Sequence, residues 1–384
     1  MTLAADLRRL GALLVERRLA PRARRECPAV EAEVLVHFPD APVNLYQLRQ
    51  WYRPLERLAE QLPVTLLVRS ARVALLARTQ THLPVVFAPG VVEVERLVRR
   101  ALAVLYVNQS APNFQALRFP EPVHVFLNHG ESDKAYMVSN QVKAYDHVLV
   151  AGEAAARRLR AGVRGIDPAR VHLVGRPQVD VDHPAPSLPP DGRTTVLYAP
   201  TWEGDRPSDA YSSVASHGEA IVRSLLASGR YRVVFRPHPR TGQSSRAAAA
   251  AVRRIARILR AEPGHVVDLD GPFGWHLRAA EACVTDVSAT VYDWLATGRP
   301  VLVTRPVDPG AWLDPEGVAG RLPLLDAVEA GRTAQRLDAL LAAPPDGLAE
   351  LVREHLGDTT PGAATARFCE TVRALVEERR REVR

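Results

Sequence analysis

Short hydrophobic runs rich in Val, Leu and Phe recur along the chain, with helix-like stretches between most of them. The first series lies at residues 34–38, 64–68, 85–88, 103–107, 123–128, 147–151 and 171–175. A second series lies at residues 195–199, 231–235, 265–269, 282–286 and 300–304. Neighbouring parallel strands must be joined by a connection of a dozen or more residues, and a helix usually supplies it. Strands that alternate with helices are therefore typical of parallel sheets. The sequence therefore predicts an α/β fold with two doubly wound, Rossmann-like parallel sheets.

The segment between the two series divides the chain. It is rich in Pro and lacks hydrophobic periodicity, which is typical of an interdomain linker. The predicted organisation is a basic amphipathic helix (1–25), a first α/β domain (26–176), the linker (177–193), a second α/β domain (194–362) and a C-terminal helix (363–384). Two such domains facing a central cleft form the GT-B architecture, although an architecture alone does not identify a chemistry.

Composition narrows the class of protein. The 384 residues are 47% hydrophobic and 24% charged, which is typical of a soluble globular chain long enough for two cores. No hydrophobic run approaches the roughly 20 residues that span a bilayer, and the N-terminus lacks the features of a signal peptide. Cys27, Cys283 and Cys369 lie far apart without metal-ligand spacing, so we expect reduced, buried thiols in a cytoplasmic protein.

The net charge of +7 predicts a partner or substrate that is anionic: nucleic acid, anionic lipid or a phosphorylated molecule. No RNP, zinc-finger or helix-turn-helix signature is present, which argues against nucleic acid. Within residues 1–25, leucines fall at helical spacing among many arginines. Such a helix can lie on an anionic membrane surface, or it can pack on its own domain, and the sequence leaves both alternatives open.

Four polar segments follow predicted strands, at residues 129–134, 198–202, 236–239 and 285–290. In open α/β sheets, ligands bind beyond the carboxyl ends of the strands. The His, Lys, Arg, Thr and Ser of these segments suit a phosphorylated ligand better than a metal or a hydrophobic cofactor. We therefore expect no organic cofactor, and we leave a divalent cation open. The chain contains no GxGxxG, Walker, HExxH or GxSxG motif.

Two histidines are candidates for proton transfer. Prolines on both sides lock the backbone around His238, and Arg236 beside it offers a planar fork for phosphate. A histidine there can donate to phosphate oxygens or act as an acid or base near neutral pH. His129 closes the longest strand predicted in the first domain, and Gly130 after it permits either a tight turn or a close approach of a ligand to the backbone. The alternatives are a rigid turn with an incidental histidine and a strand-end histidine bonded to backbone.

The last polar segment opens a predicted helix. Ser288 or Thr290 can cap that helix, whose first N–H groups would then form an anion site beyond Asp286. Asp293 lies one turn inside and faces either the same site or solvent. In the alternative interpretation, Ser288 is only a cap and Asp286 only closes a strand.

Two further residues complete the candidate site. Thr201 and the N–H groups after Pro200 could line a phosphate loop, or simply form a strand exit. The chain has only two lysines, Lys134 and Lys143, among 50 basic residues, and Lys134 lies in the segment after His129. A lysine is a compact, mobile charge rather than a planar fork, so Lys134 is a candidate ligand for phosphate. The alternative is that a lysine stands at this position by chance.

Taken in order, these segments and residues 175–180 resemble the CDP-glycerol glycerophosphotransferase family, the teichoic-acid primases and polymerases of bacterial cell walls. The resemblance covers residues 125–305 and includes five motifs: His129-Gly130 with Lys134, residues 175–180, residues 198–202, residues 236–239, and Thr285-Asp286 with Ser288 and Asp293. It departs from the family after Thr285-Asp286, where Val287 and a single serine replace a tyrosine and paired serines.

The resemblance implies a GT-B enzyme that transfers a polyol phosphate, most simply glycerol phosphate, from a CDP-activated donor and releases CMP. The donor would lie on the second domain, with its phosphates among Thr201, Arg236, His238 and Ser288. The first domain would hold a lipid-linked or polymer acceptor, and His129 would be the base. Two alternatives remain: a glycosyltransferase that uses a nucleotide sugar, and a non-enzymatic protein that binds membranes or polyanions.

Overall fold

The computed structural model describes residues 3–30, 32–132, 138–181, 183–188, 190–269, 273–343 and 345–384. The strands of the first half are β1 (Val34–Phe38), β2 (Val64–Val68), β3 (Val85–Phe87), β4 (Ala103–Tyr106), β5 (Val123–Phe126), β6 (His147–Val150) and β7 (Val171–Leu173). Those of the second half are β8 (Thr194–Ala199), β9 (Tyr231–Phe235), β10 (Val266–Val267), β11 (Ala282–Asp286), β12 (Val301–Thr304) and β13 (Leu324–Leu325).

Helices lie between most of the strands. Those before the second sheet are α1 (Leu3–Glu26), α2 (Leu45–Arg49), α3 (Tyr52–Ala59), α4 (Ala71–Arg78), α5 (Val91–Val98), α6 (Phe114–Leu117) and α7 (Glu153–Gly162). The others are α8 (Gly218–Ala227), α9 (Arg246–Arg260), α10 (His276–Ala279), α11 (Ala289–Leu295), α12 (Thr333–Ala342), α13 (Leu348–Leu356) and α14 (Ala363–Glu382).

Two parallel sheets form the framework. The first has the strand order β3-β2-β1-β4-β5-β6-β7, and the second has the order β10-β9-β8-β11-β12-β13. Every strand pair is parallel, as the pairings of β1 with β2 and β4 and of β8 with β9 and β11 illustrate. The direction of winding therefore reverses beside β1 in one sheet and beside β8 in the other, which creates a crevice at each point. The predicted fold class is confirmed.

The strands are buried on both faces. Every residue of β1, β2, β9 and β11 is buried, because helices cover both sides of each sheet. That burial explains why the strands were visible in the sequence as continuous hydrophobic runs. All twelve predicted strands are present. The thirteenth, β13, was missed because it pairs through only two residues at the edge of the second sheet.

The C-terminal helix α14 packs against the first sheet, not the second. Phe368 and Val372 are buried in the same hydrophobic cluster as Val36 and Leu105 of that sheet. The start of α14 is held by Asp180, whose carboxylate accepts hydrogen bonds from the backbone N–H groups of Gly362 at 2.6 Å and Thr365 at 2.7 Å. The second half of the chain thus ends by completing the core of the first. The domain boundaries proposed from the sequence stay a prediction.

The first helix has two distinct parts. Its C-terminal part packs on the first sheet through the buried Ala23, and Glu16 accepts a hydrogen bond from the backbone N–H of Ala71 at 2.6 Å at the start of α4. Toward the N-terminus, Leu10, Leu13 and Leu14 are each more than half exposed. Hydrophobic and basic residues are distributed around the helix rather than gathered on two faces, so its amphipathic character is weak. Among the described residues, no helix combines the length and hydrophobicity that crossing a bilayer requires.

Candidate active site

A cleft of about 480 Å³ lies beyond the carboxyl ends of the strands, with walls from both halves of the chain. Seven predicted site residues line it: His129, Thr201, Arg236, His238, Ser288, Thr290 and Asp293. Gly130 and Asp286 do not line the cleft, and both residues are buried next to residues that do. Lys134 lies outside the described residues. A wider groove of about 1270 Å³ opens beside the cleft and shares Arg53 and His183 with it.

The backbone before His129 is held in an unusual conformation. Asn128 has a φ of 59°, in the left-handed region that asparagine tolerates better than most residues. Its side chain donates to the carbonyl of Gly130 at 2.7 Å and accepts from the N–H of His129 at 2.9 Å. The indole of Trp51 donates to the carbonyl of Asn128 at 2.7 Å. These three bonds fix the position of His129 at the end of the strand.

The environment of His129 favours its neutral form. Burial, and then the charge of Arg176, lower the pKa of His129 to about 4. Its Nδ1 is buried and has no hydrogen-bond partner within the described part of the chain. A neutral imidazole with an available nitrogen can accept a proton near pH 7. The geometry is therefore compatible with a general base.

His238 faces the cleft from the opposite half. Its backbone N–H donates to the carbonyl of Pro200 at 3.0 Å, which joins the loops after β8 and β9. Its Nδ1 accepts a hydrogen bond from the backbone N–H of Arg240 at 3.1 Å, so the neutral ring carries its proton on Nε2. The ring of Tyr46 lies between the two histidines, with centroids 5.0 Å from His238 and 6.5 Å from His129. The predicted histidines are thus brought together, one from each half.

Arg236 is held at the cleft wall by a carboxylate that is itself bonded to a buried histidine. Its guanidinium pairs with the carboxylate of Asp268 at 3.0 Å, and the other oxygen of that carboxylate lies 2.9 Å from Nε2 of His276. The ring of His276 stacks on Trp275, with centroids 3.9 Å apart. This packing fixes the orientation of the guanidinium, which a bidentate contact with phosphate requires.

Asp286 supports the loop that carries Thr201. It is fully buried, and its carboxylate accepts hydrogen bonds from Thr201 N at 2.8 Å, Ser213 N at 3.1 Å and Thr304 Oγ1 at 2.5 Å. Burial raises the pKa of Asp286, while these hydrogen bonds favour the ionised form. The oxygens are occupied by the protein itself, so the geometry indicates a positioning role and not a direct contact with ligand.

Ser288 is the N-cap of α11, which agrees with one of the two interpretations of the sequence. Its hydroxyl accepts a hydrogen bond from the N–H of Thr290 at 3.3 Å and donates to the carbonyl of Asp286 at 3.1 Å. Capping does not remove it from the site, because Ser288 and Thr290 both line the cleft.

A second carboxylate, which the sequence did not single out, joins the loops after β8 and β9. Glu203 accepts hydrogen bonds from the backbone N–H groups of Gly242 at 2.9 Å, Ser244 at 3.1 Å and Ser245 at 2.9 Å. Burial raises the pKa of Glu203, but these bonds outweigh that effect and lower it overall. The side chains of Trp202 and Arg240 stack across the same junction, 3.8 Å from guanidinium carbon to ring centroid. Nothing in the sequence signals this contact, because its partners lie about 40 residues apart.

The two halves meet at α11. Arg176 and Asp293 form an ion pair whose side chains are almost completely buried. Arg158 contacts Glu131 at 3.3 Å and donates to the hydroxyl of Tyr292 at 2.7 Å. Asp293 therefore faces a cation of the other half and not solvent. Arg176 belongs to residues 175–180, which form one of the five motifs of the family resemblance. From the sequence, no role was assigned to this residue.

Gly130 lies at the same junction. A Cβ atom at this position would come within 2.9 Å of the Cβ of Ala289, the first residue of α11. Real Cβ atoms do not approach so closely, so only glycine fits here without a shift. Gly130 therefore lets the other half of the chain approach its backbone closely.

Comparison with known proteins agrees with the geometry. Residues 120–306 match the family described as CDP-Glycerol:Poly(glycerophosphate) glycerophosphotransferase. The resemblance found in the sequence is confirmed. This stretch contains the seven predicted site residues that line the cleft, from His129 to Asp293, and the match supports a transferase of glycerol phosphate. No curated protein matches the chain.

Solved structures share the architecture. The wall teichoic acid polymerase TagF superposes with a TM-score of 0.61 at 13% identity, over 97% of each chain. A putative UDP-N-acetylglucosamine 2-epimerase from Listeria monocytogenes gives 0.60 at 16% identity, over 91% of this chain and 98% of the other. The UDP-GlcNAc 2-epimerase from Neisseria meningitidis gives 0.54 at 12% identity, over 89% and 99%. These similarities establish a GT-B fold.

Because the Arg176–Asp293 pair is buried, we expect a single substitution to lower the free energy of unfolding much more than a double substitution that removes both charges. Asp293→Ala leaves the charge of Arg176 buried and unpaired, which should lower the free energy of unfolding by about 3–5 kcal/mol. The double variant Arg176→Met with Asp293→Leu removes both charges and should recover most of that loss. Urea unfolding followed by circular dichroism measures each value.

The matched control is the exposed pair Arg57–Glu60, with both side chains 62% exposed. Glu60→Ala should cost at most about 1 kcal/mol. A double variant at positions 176 and 293 that is no more stable than Asp293→Ala would contradict this account.

Proposed function

We propose that the protein transfers glycerol phosphate from CDP-glycerol to a hydroxyl of a polymer or lipid-linked acceptor in teichoic-acid or capsule synthesis, with release of CMP. The observation that carries this proposal is the convergence of His129 with His238 and Arg236 on one cleft, within the stretch that matches the glycerophosphotransferase family. The two histidines come from opposite halves, so a donor bound to one half and an acceptor bound to the other would meet between them.

In this reaction the acceptor oxygen attacks the phosphorus of the glycerol phosphate. A new oxygen–phosphorus bond forms, the bond from that phosphorus to the bridging oxygen breaks, and CMP leaves with the bonding electrons. The acceptor proton passes to a ring nitrogen of His129, because the lowered pKa of this histidine keeps the ring neutral and a lone pair available. Positioning and fixed donors supply most of the remaining stabilisation in phosphoryl transfer.

Donor groups for the diphosphate come from the second half. His238 presents an Nε2–H because its Nδ1 accepts a backbone hydrogen bond, and Arg236 offers its oriented guanidinium. We assign Thr201 and Ser288, with Thr290, to the same phosphate-binding wall. Asp286, Asp293 and Gly130 act by holding these groups in place. We found no cluster of three or more metal-ligating side chains in the described ranges.

The first test is thermal stabilisation by nucleotides. A ligand that binds only the folded state raises the melting temperature by mass action. We expect stabilisation by CMP, CDP, CDP-glycerol or CDP-ribitol, and little by UDP, GDP or UDP-sugars. Differential scanning fluorimetry measures the shift. Stabilisation by uridine or guanosine compounds alone would favour the nucleotide-sugar glycosyltransferase, and no shift with any nucleotide would favour a protein that is not an enzyme.

Substitution of either histidine tests the chemical step. We expect His129→Ala to lower turnover by about 10²–10⁴-fold, since a general base typically contributes that much. His238→Ala should lower turnover to a similar extent by removing a donor to the diphosphate. CMP release measures turnover, and circular dichroism confirms that each variant is folded. A folded variant with turnover near that of wild type would remove its histidine from the mechanism.

The dependence of kcat/KM on pH tests the role of His129 independently. A base acts in its neutral form, and the pKa of His129 is lowered to about 4. Activity should therefore persist below pH 6.5, the ordinary pKa of histidine, and decline only as the pH approaches 4. An acidic limb centred near pH 6.5 that disappears in His129→Ala would contradict the predicted environment.

We propose that the enzyme works in the cytoplasm at an anionic membrane surface, where a lipid-linked acceptor would lie. The support is the exposed part of α1, where Leu10, Leu13 and Leu14 adjoin exposed Arg17 and Arg18. Deletion of residues 1–25 should weaken sedimentation with anionic liposomes in a salt-sensitive way. Because the deletion also removes packing contacts, Leu10→Ser with Leu14→Ser is the better-matched variant. Unchanged sedimentation of both would exclude this helix as the anchor.

A further inference from the structure

One wall of the cleft comes from residues that lie before the family-matched stretch and outside every polar motif. Helix α2 and the start of α3 contribute Tyr46, Arg49, Gln50 and Tyr52, and Gln80 adjoins them. This wall adjoins His129, since Tyr46 contacts that ring edge-on. Tyr46 also meets the loops to which we assign the donor phosphates, because its ring centroid lies 5.0 Å from that of His238.

Tyr52 has a hydroxyl group without a partner. Its side chain is 5% exposed, and the hydroxyl oxygen is buried with no hydrogen bond to any of the residues described. Burial raises the pKa of Tyr52, so the hydroxyl keeps its proton. Buried polar groups in folded proteins are almost always hydrogen-bonded, because leaving one unpaired lowers stability. A ligand that enters the cleft would supply the missing partner.

Arg49 carries a charge without an anionic partner. Its Nε donates to the amide oxygen of Gln80 at 2.9 Å, and no carboxylate pairs with it in the described part of the chain. Arg53, one turn further along, pairs instead with Glu56 at 3.1 Å. A neutral partner orients the guanidinium of Arg49 and leaves its charge uncompensated, which is the arrangement that an anionic ligand requires.

We propose that this wall is the acceptor subsite, in which Arg49 binds a phosphate group of the acceptor and Tyr52 hydrogen-bonds a polyol hydroxyl. This inference rests on the proposed function. The end of a poly(glycerophosphate) chain carries a phosphate and hydroxyl groups on one three-carbon unit. A guanidinium beside a hydroxyl group fits that pair of features, and the neighbouring His129 would receive the proton of the attacking oxygen.

The test compares acceptor and donor binding in Arg49→Gln, Tyr52→Phe and the control Arg72→Gln. Arg72 is an exposed arginine of α4 outside the cleft lining, so the control makes the same change of charge. CMP release from CDP-glycerol, with a short glycerol phosphate oligomer as acceptor, gives KM for the acceptor. Calorimetry gives Kd for CDP-glycerol in each full-length variant.

We expect the acceptor KM to rise about ten- to a hundredfold in Arg49→Gln, where a charge-assisted hydrogen bond is lost, and about two- to tenfold in Tyr52→Phe. The Kd for CDP-glycerol should stay within about twofold of wild type in all variants. Tyr52→Phe removes an unpaired buried hydroxyl, so its Tm should equal or exceed that of wild type. A purely structural role for Tyr52 would lower Tm instead.

Unchanged acceptor KM in both variants would overturn the subsite, as would a matching rise in the Kd for CDP-glycerol. An uncharged saccharide that proves to be the efficient acceptor, with a KM that Arg49→Gln leaves unaltered, would also overturn it. These outcomes leave the proposed function intact. Wild-type protein that neither binds CDP-glycerol nor releases CMP would overturn the proposed function and the subsite together.

Discussion

The geometry of the cleft depends on the buried ion pair between Arg176 and Asp293. It joins the end of the first sheet to α11, whose first turn lines the cleft. Burying two charges is costly, and neither can be removed singly without leaving the other unpaired. The pair therefore favours one relative placement of the two halves. The charge of Arg176 also contributes to the low pKa of His129, so the same contact links domain placement to the state of the candidate base.

Two other carboxylates fix the loops of the second half that line the cleft. Asp286 binds the backbone of the loop after β8, and Glu203 binds the backbone before α9. Their oxygens accept hydrogen bonds from N–H groups that the irregular loops would otherwise leave unpaired. Thr201 and His238 are thereby presented on a backbone that is rigid without belonging to a strand or helix. Phosphoryl transfer relies on positioning, so this support is as relevant as the residues that would contact the ligand.

The two halves of the chain contribute different functional groups to the cleft. The second half supplies Arg236 and the Nε2–H of His238, and the first half supplies the neutral imidazole of His129 and the wall with Arg49 and Tyr52. Parallel sheets direct the ends of their strands toward one edge, so two sheets facing each other bring two sets of loops together. A donor on one side and an acceptor on the other is the function that this arrangement suits.

The sequence by itself determined twelve of the strands, the parallel fold and seven of the residues that line the cleft, because buried strands are continuous hydrophobic runs and strand ends converge. His129 and His238 were identified for that reason. Only the tertiary structure decided that Asp286 faces its own loop, that Gly130 makes room for Ala289, and that Arg49 and Tyr52 join the cleft. These outcomes depend on contacts between residues distant in the chain, and local patterns of hydrophobicity and turn residues carry no information about which distant groups will meet.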